Sequence, residues 1–345
     1  MESRELQILE FIKKTGECSS KEIFDRATIA ISYATLKRVL NDLKANNYLS
    51  TRGQGKGTKY LISPVFELIR PIDVAAYYQK EIDERQIKES FDFQLITDVL
   101  PGSNIFRNAE LEKLAMLQQV YQSNIANLSE AAYLKEMERL TIDLSWKSSQ
   151  IEGNTYSLLE TERLLREKET ASGRTKEEAI MLLNHKDAID FIIENTDYLH
   201  PLSVSKIEDI HSILTKDLNV ERNLRKMRVG ISGTNYRPLD NEFQILEALK
   251  NTCDLINNKE NVFEKALLAL TLISYIQPFM DGNKRTARIV SNAILMAHGH
   301  CPLSFRTVDS IEYKKAMLLF YEQNNISAFK DIFISQYEFA VNTYF

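Results

Sequence analysis

The chain has 345 residues, 44% of them hydrophobic, with 43 basic against 48 acidic side chains and a net charge of −5. Only 11 residues are glycine and 7 proline, about half the usual share. This argues against an all-β sandwich or barrel, which needs a turn signal roughly every 8–12 residues, and against glycine- or proline-rich disorder. The expectation is a mainly helical protein of about two domains, not a chain that is basic throughout.

Three cysteines, Cys18, Cys253 and Cys301, lack C-x-x-C spacing and suit unpaired thiols in a reducing compartment. The amino terminus is charged and amphipathic rather than signal-like. The longest uncharged run, Ala266–Met280, has fifteen residues, below the ~18–20 that span a bilayer. A cytoplasmic location with no membrane contact is expected.

In chain order, residues 1–64 read as three short helices and a hairpin. Leu6, Leu9 and Ile12 form one apolar stripe. Ser19 and Glu22 make a capping box for a second helix, and Ser32 can cap a third that turns Leu36, Val39, Leu40 and Leu43 inward. Two strands, 48–52 and 58–62, flank the glycine turn Gly53-Gln54-Gly55-Lys56-Gly57. This order resembles the winged helix-turn-helix family, in pattern rather than by a diagnostic motif. The resemblance would make the third helix a recognition helix exposing Tyr33, Thr35, Lys37, Arg38 and Asn41. From Ser32 to Lys59 there are six basic residues and one acid, with Arg52, Lys56 and Lys59 on the wing, so phosphate contact is one reading. A protein-docking or dimerising module with solvated lysines is the other.

Residues 65–128 read as a helical connecting region, broken near Pro71 and Pro101-Gly102, without evident chemistry. Residues 129–345 read as a helical bundle. Apolar spacing predicts helices over 130–151, 176–195, 203–217, 243–258, 262–276, 283–298 and 326–343. His298-Gly299-His300-Cys301 lies at a helix end beside Pro302 and reads as a capping turn.

The stretch that carries chemistry is Gln277-Pro278-Phe279-Met280-Asp281-Gly282-Asn283-Lys284-Arg285-Thr286-Ala287-Arg288. A buried helix ends, a short glycine loop follows, and a second helix opens with Arg285 and Arg288 on one face. Free N–H groups at that helix start, with Lys284, Arg285 and Arg288, suit a polyphosphate. Asp281 is placed as a carboxylate ligand for Mg²⁺. The plain structural alternative is a basic helix start neutralised by local acids.

This stretch resembles the signature of the Fic (Fido) family, H-P-F-x-D/E-G-N-G/K-R-x-x-R. That family's enzymes transfer AMP from ATP to a protein hydroxyl. Val229–Pro238 resembles its flap hairpin, which clamps a target segment by strand addition through residues such as Gly230, Ile231, Ser232, Gly233 and Tyr236. Ser148-Ser149-Gln150-Ile151-Glu152-Gly153 matches its inhibitory pattern, S/T-x-x-x-E-G/N. The resemblance implies a mainly α Fic-type bundle over 129–345 with a small β-hairpin flap and an inhibitory helix at about 130–152. The winged-helix α+β domain would precede it. It further implies that Gly282, Asn283 and Lys284 line an anion pocket and that Arg285 holds ATP phosphates. Arg288 would bind the γ-phosphate. Glu152 would pair with Arg288 and turn that phosphate aside, leaving the α-phosphate out of line for attack.

The departure is at residue 277. The family has histidine there, the base that takes the target's proton; a glutamine amide cannot accept one near neutral pH. Three functions stay open. One is an ATP-binding regulator with weak or lost AMP transfer. Another is an active, self-inhibited adenylyltransferase acting on itself or a partner protein. The third is a DNA-binding transcription regulator whose Fic part senses nucleotide or serves as scaffold. A homodimer is compatible with the sequence, though no interface is readable in it.

Overall fold

The computed structural model describes residues 3–345, leaving out the side chains of Ser3 and Lys56. Helices α1 (Ser3–Thr15), α2 (Ser20–Arg26) and α3 (Tyr33–Ala45) pack on a three-stranded antiparallel sheet. Its strands are β1 (Cys18–Ser19), β2 (Leu49–Arg52) and β3 (Lys59–Ile62), in the order β1-β3-β2. Leu49 to Arg52 pair in register with Ile62 to Lys59. The capping box forms as its spacing dictates: Ser19 accepts from the Glu22 N–H, and Glu22 accepts from the Ser19 N–H. Ile8, Ile12, Ile23, Leu36, Leu40 and Leu43 fill the space between helices and sheet.

The connecting region is less helical than its charge pattern implies. Two four-residue turns, α4 (Phe66–Ile69) and α5 (Val74–Tyr77), precede a long irregular stretch. Only α6 (Asn108–Ala126) is a full helix, and it packs along the last helix of the chain.

The bundle comprises α7 (Glu130–Ile151), α8 (Leu158–Glu167), α9 (Lys176–Glu194), α10 (Val204–Leu214), α11 (Glu242–Asn258), α12 (Val262–Ile276), α13 (Asn283–Ala297), α14 (Ser310–Gln323) and α15 (Ser327–Tyr344). Every residue from Phe263 to Ile276 is buried. A helix apolar on all sides belongs in the centre of a protein, and α12 is the post around which α11, α13 and α14 pack. The amino-terminal unit is not separated from this core, because buried side chains run continuously from Ile8 to Tyr344. At the seam, Tyr48 meets Phe66 edge-on. The buried amide of Asn325 donates to the Glu67 and Arg70 carbonyls at 2.7 and 2.9 Å.

Two expectations need correction here. Residues 229–238 do not form a hairpin: the segment has a single isolated bridge, Ser90 with Arg237, and it is parallel. Its outer limb, 233–237, is held by residues 83–89 rather than by its inner limb. Tyr236 is not a surface clamp. It is buried, stacked on Tyr275 at 4.9 Å, and donates its hydroxyl to the Tyr275 carbonyl at 3.0 Å. No helix among the described residues is long and apolar enough to cross a membrane.

Candidate functional site

The site is built where α12 ends and α13 begins. Gln277 caps α12 in the left-handed region, φ 51°, and Gly282 opens α13 at φ 81°. A side chain at 282 would place its Cβ 3.3 Å from Thr215 and 3.4 Å from His211, so glycine answers both the backbone and the space. Asn283 staples the loop between them. Its side-chain oxygen accepts from the Phe279 N–H, and its amide donates to the Phe279 carbonyl and to the Gln277 side-chain oxygen at 3.0 Å.

Two residues outside the motif hold the same loop. The His211 ring lies flat on Phe279, 3.7 Å between centroids, with Nε2 3.0 Å from the Asp281 carbonyl. Burial pushes its pKa down to about 4, so near neutral pH the ring is uncharged and donates that bond from Nε2. Arg225, wholly buried, has its guanidinium among carbonyls: Gln277 at 2.6 Å, Met227 at 2.9 Å, and Leu239. Neither residue carries a local sequence signal, since each acts across more than fifty positions on its loop partner.

The first turn of α13 has N–H groups without intrahelical acceptors, and three cations stand around it. Arg285 is buried. One of its nitrogens meets Asp281 at 3.0 Å, while Nε and Nη1 have no hydrogen bond among the described residues. The Asp281 carboxylate is itself mostly exposed. Arg288, fully buried, lies over the Tyr313 ring and gives Nε to the Ser148 hydroxyl at 2.8 Å; its Nη1 also has no hydrogen bond among the described residues. Lys284 reaches in from the rim.

Glu152, at the C-cap of α7, sits between them. One carboxylate oxygen accepts from Arg288 at 2.9 Å and the other from Lys284 at 3.2 Å. Burial would raise its pKa, but Arg288, Lys284 and Arg285 outweigh burial and hold the carboxyl at about 2. Gly153 follows at φ 104° and turns the chain away. Ser148, one turn back, also gives its carbonyl to Arg288 at 3.0 Å, and its hydroxyl lies 2.7 Å from His185 Nε2. Burial first, then Arg288 and Arg285, keep His185 uncharged.

A cleft of about 340 Å³ opens beside this cluster, lined by Glu152, Lys284, Gln277, Lys314, Tyr321 and the segment Gly230-Ile231-Ser232. Gln277 does not aim a free amide into it. Its nitrogen donates to the Ser274 carbonyl at 2.6 Å, and its oxygen is taken by Asn283. Of the flap residues, Gly230, Ile231 and Ser232 line the cleft, whereas Gly233 rests on Leu318.

The residues singled out on α3 fare differently from one another. Arg38 is exposed and Lys37 half-buried over the Tyr33 and Tyr60 rings. Tyr33 shares a hydrogen bond with Ser20, and Thr35 with the capping Ser32. Arg52 and Lys59 form ion pairs with Glu17 and Glu22 within the unit. The Lys56 side chain lies outside the described residues.

Residues 201–295, from the approach to α10 through the loop and nearly all of α13, match the Fic/DOC family model. The chain carries a Fic/DOC domain. Among curated relatives, the protein adenylyltransferase fic-1 of Caenorhabditis briggsae is 28% identical over 211 residues, covering 57% of this chain and 41% of that protein. The protein adenylyltransferase Fic of Nematostella vectensis is 29% identical over 175 residues, covering 49% and 40%. The chain thus matches about two fifths of the length of these relatives. Among solved structures, Fic-1 of Caenorhabditis elegans (residues 134–508) superposes with a TM-score of 0.58 at 20% identity over 68% of this chain and 71% of that one. A Fic domain-containing signaling protein from Bacteroides thetaiotaomicron gives 0.57 at 19% identity over 67% and 94%. At these identities the Fic/DOC likeness is one of fold. Glu152 and its helix lie before the matched segment.

Proposed function

We propose that the chain is an ATP-binding protein of the Fic adenylyltransferase kind, held off by Glu152 and weakened in AMP transfer by Gln277. The observation that carries the reading is the cluster of Lys284, Arg285 and Arg288 at the start of α13, with one carboxylate standing where an anion would bind. Two buried guanidinium groups with unsatisfied nitrogens fit a polyphosphate, which supplies acceptors in number. Asp281, exposed at the mouth, is the carboxylate suited to a phosphate-bound Mg²⁺, whose chemistry would be to neutralise polyphosphate charge. Glu152 occupies Arg288, so an ATP that enters must either displace the carboxylate or lie with its terminal phosphate elsewhere. The second arrangement takes the α-phosphorus out of line with a hydroxyl in the cleft.

In the transfer itself a target hydroxyl oxygen bonds to the α-phosphorus, the bond to the β-phosphate oxygen breaks, and pyrophosphate leaves. The hydroxyl proton needs an acceptor. Gln277 offers none, and a lost general base costs on the order of 10²–10⁴ in rate. Labelled ATP with the parent chain, Glu152→Gly and Glu152→Gly/Gln277→His tests the reading. Label transfer is expected only in the double variant. Robust transfer by Glu152→Gly alone would make this an active enzyme without the histidine, and failure of ATP with Mg²⁺ to raise the Tm of any of the three would end the nucleotide reading.

A second role belongs to residues 1–64, which we read as a winged helix with α3 facing a nucleic-acid phosphate backbone. Lys37 and exposed Arg38 support it, together with the net +4 of residues 1–62 (11 basic, 7 acidic). Arg52 and Lys59 are paired with Glu17 and Glu22, so Lys37 and Arg38 would carry the contact.

A further inference from the structure

Residues 81–90 belong to the region in which the sequence shows no chemistry, yet they close over the cleft-lining segment. Arg85 is buried, with Nη1 on both oxygens of the equally buried Glu322 at 3.1 and 3.2 Å, and Nη2 on the Gly233 carbonyl at 3.0 Å. The Tyr77 hydroxyl completes the Glu322 carboxylate at 2.6 Å. Three further ties run the same way. Asn235 donates to Asp83 at 3.1 Å, the Arg237 N–H donates to the Glu89 carbonyl at 2.8 Å, and the two side chains of that last pair form an ion pair. The Lys88 N–H in turn donates to the Glu322 carbonyl at 2.8 Å, which fastens 81–90 to the end of α14. The outer limb of the segment, 233–237, is therefore held on α14.

The inner limb is different. Gly230, Ile231 and Ser232 line the cleft, and their backbone groups make no hydrogen bond among the described residues. A stretch of backbone with unpaired N–H and C=O groups is a template for an added strand, provided it is kept still. A buried ion pair is a poor source of net stability, since apolar side chains of the same size serve as well, and its best-attested use is to fix register. Here, besides Tyr77 and Tyr78 of the turn before the strap, the pair reaches the carbonyl at the apex of the segment.

We infer that residues 81–90 are a strap that fixes the segment 229–237, with Arg85 the positioning residue that presents Gly230–Ser232 to an extended stretch of a protein target. This rests on the reading of the cleft as an AMP-transfer site. The Arg85→Lys variant separates the two duties of the side chain: an ammonium keeps the pairing with Glu322 but lacks the second arm for Gly233.

All three native thiols are buried, so a nitroxide on the full chain carrying Ser232→Cys reads this segment alone, and one on Glu247→Cys of α11 serves as reference. In Arg85→Lys the correlation time at 232 should fall at least about threefold, into the range of free loops, with no change at 247 and with Tm held. Arg85→Ala should show the same local loosening with a lower Tm. Unchanged spectra at 232 in Arg85→Lys, or equal loosening at 232 and 247, would overturn the strap. A loosened segment in a chain whose Tm does not respond to ATP would refute the nucleotide reading and leave the strap standing.

Discussion

Replacing Glu152 by glutamine tests the ion cluster at its centre, because the variant keeps the shape and removes only the charge. The carboxyl falls from an ordinary 4.5 to about 2 in the folded protein. At ~1.4 kcal/mol per pH unit this corresponds to about 3 kcal/mol of stability. The side chain is 19% exposed, so solvent screening removes little of it. The sign follows from the depressed pKa: the contribution is complete above about pH 4.5 and is lost as pH falls toward 2. Leaving Arg288 buried without its counter-charge gives a similar cost, ~3–5 kcal/mol. Urea unfolding at pH 7 should therefore show Glu152→Gln less stable by about 3 kcal/mol with an unchanged m value. The gap between parent and variant should close as both approach pH 2. ATP or tripolyphosphate with Mg²⁺ should restore more stability to the variant than it adds to the parent, since ligand at ~100 times its Kd gives ~2.7 kcal/mol and in the parent the polyphosphate must either displace the carboxylate or go without Arg288. Equal urea midpoints, or equal gains from polyphosphate, would refute the reasoning that Glu152 stands in the anion's place.

Tyr236→Phe removes only the hydroxyl that donates to Tyr275 and should cost about 1 kcal/mol in urea unfolding, an effect a surface residue would not show. Gly282→Ala forces a Cβ at φ 81° against Thr215 and His211; it should cost ~1–2 kcal/mol and abolish the thermal shift by ATP. Lys37→Ala and Arg38→Ala should each weaken binding to random-sequence DNA uniformly and lower the salt slope by about 1 in gel-shift titrations.

The motif helices were legible because their chemistry is local. Gln277 to Arg288 carries loop, glycine and cations within twelve positions, and the apolar run before it can only be a buried helix. Ser148 and Glu152 stood out only through their resemblance to the Fic inhibitory pattern, not through spacing of their own. Helix α8 went unread although Ser157 and Glu160 form a capping box ahead of it, and α14 is flanked by a plain Asp309 cap. What the sequence could not reveal are contacts between distant positions. Arg85 meets Glu322 across 237 residues, Tyr236 reaches Tyr275 across 39, and a glycine pair around 230–233 reads as a hairpin until its partners are known. The same holds for Arg52 and Lys59, whose charges look available until Glu17 and Glu22 are placed beside them.

The Asn325 amide, clasping the Glu67 and Arg70 carbonyls, lies in the turn between α14 and α15. The Ile326 N–H adds a third bond to Leu68 at 2.7 Å. That turn follows directly on the helix that supplies Lys314, Met317, Leu318 and Tyr321 to the cleft wall. The chain that leaves the amino-terminal unit is thus bound at α4 to the turn that ends a wall of the cleft, so the unit is not hung from a slack tether.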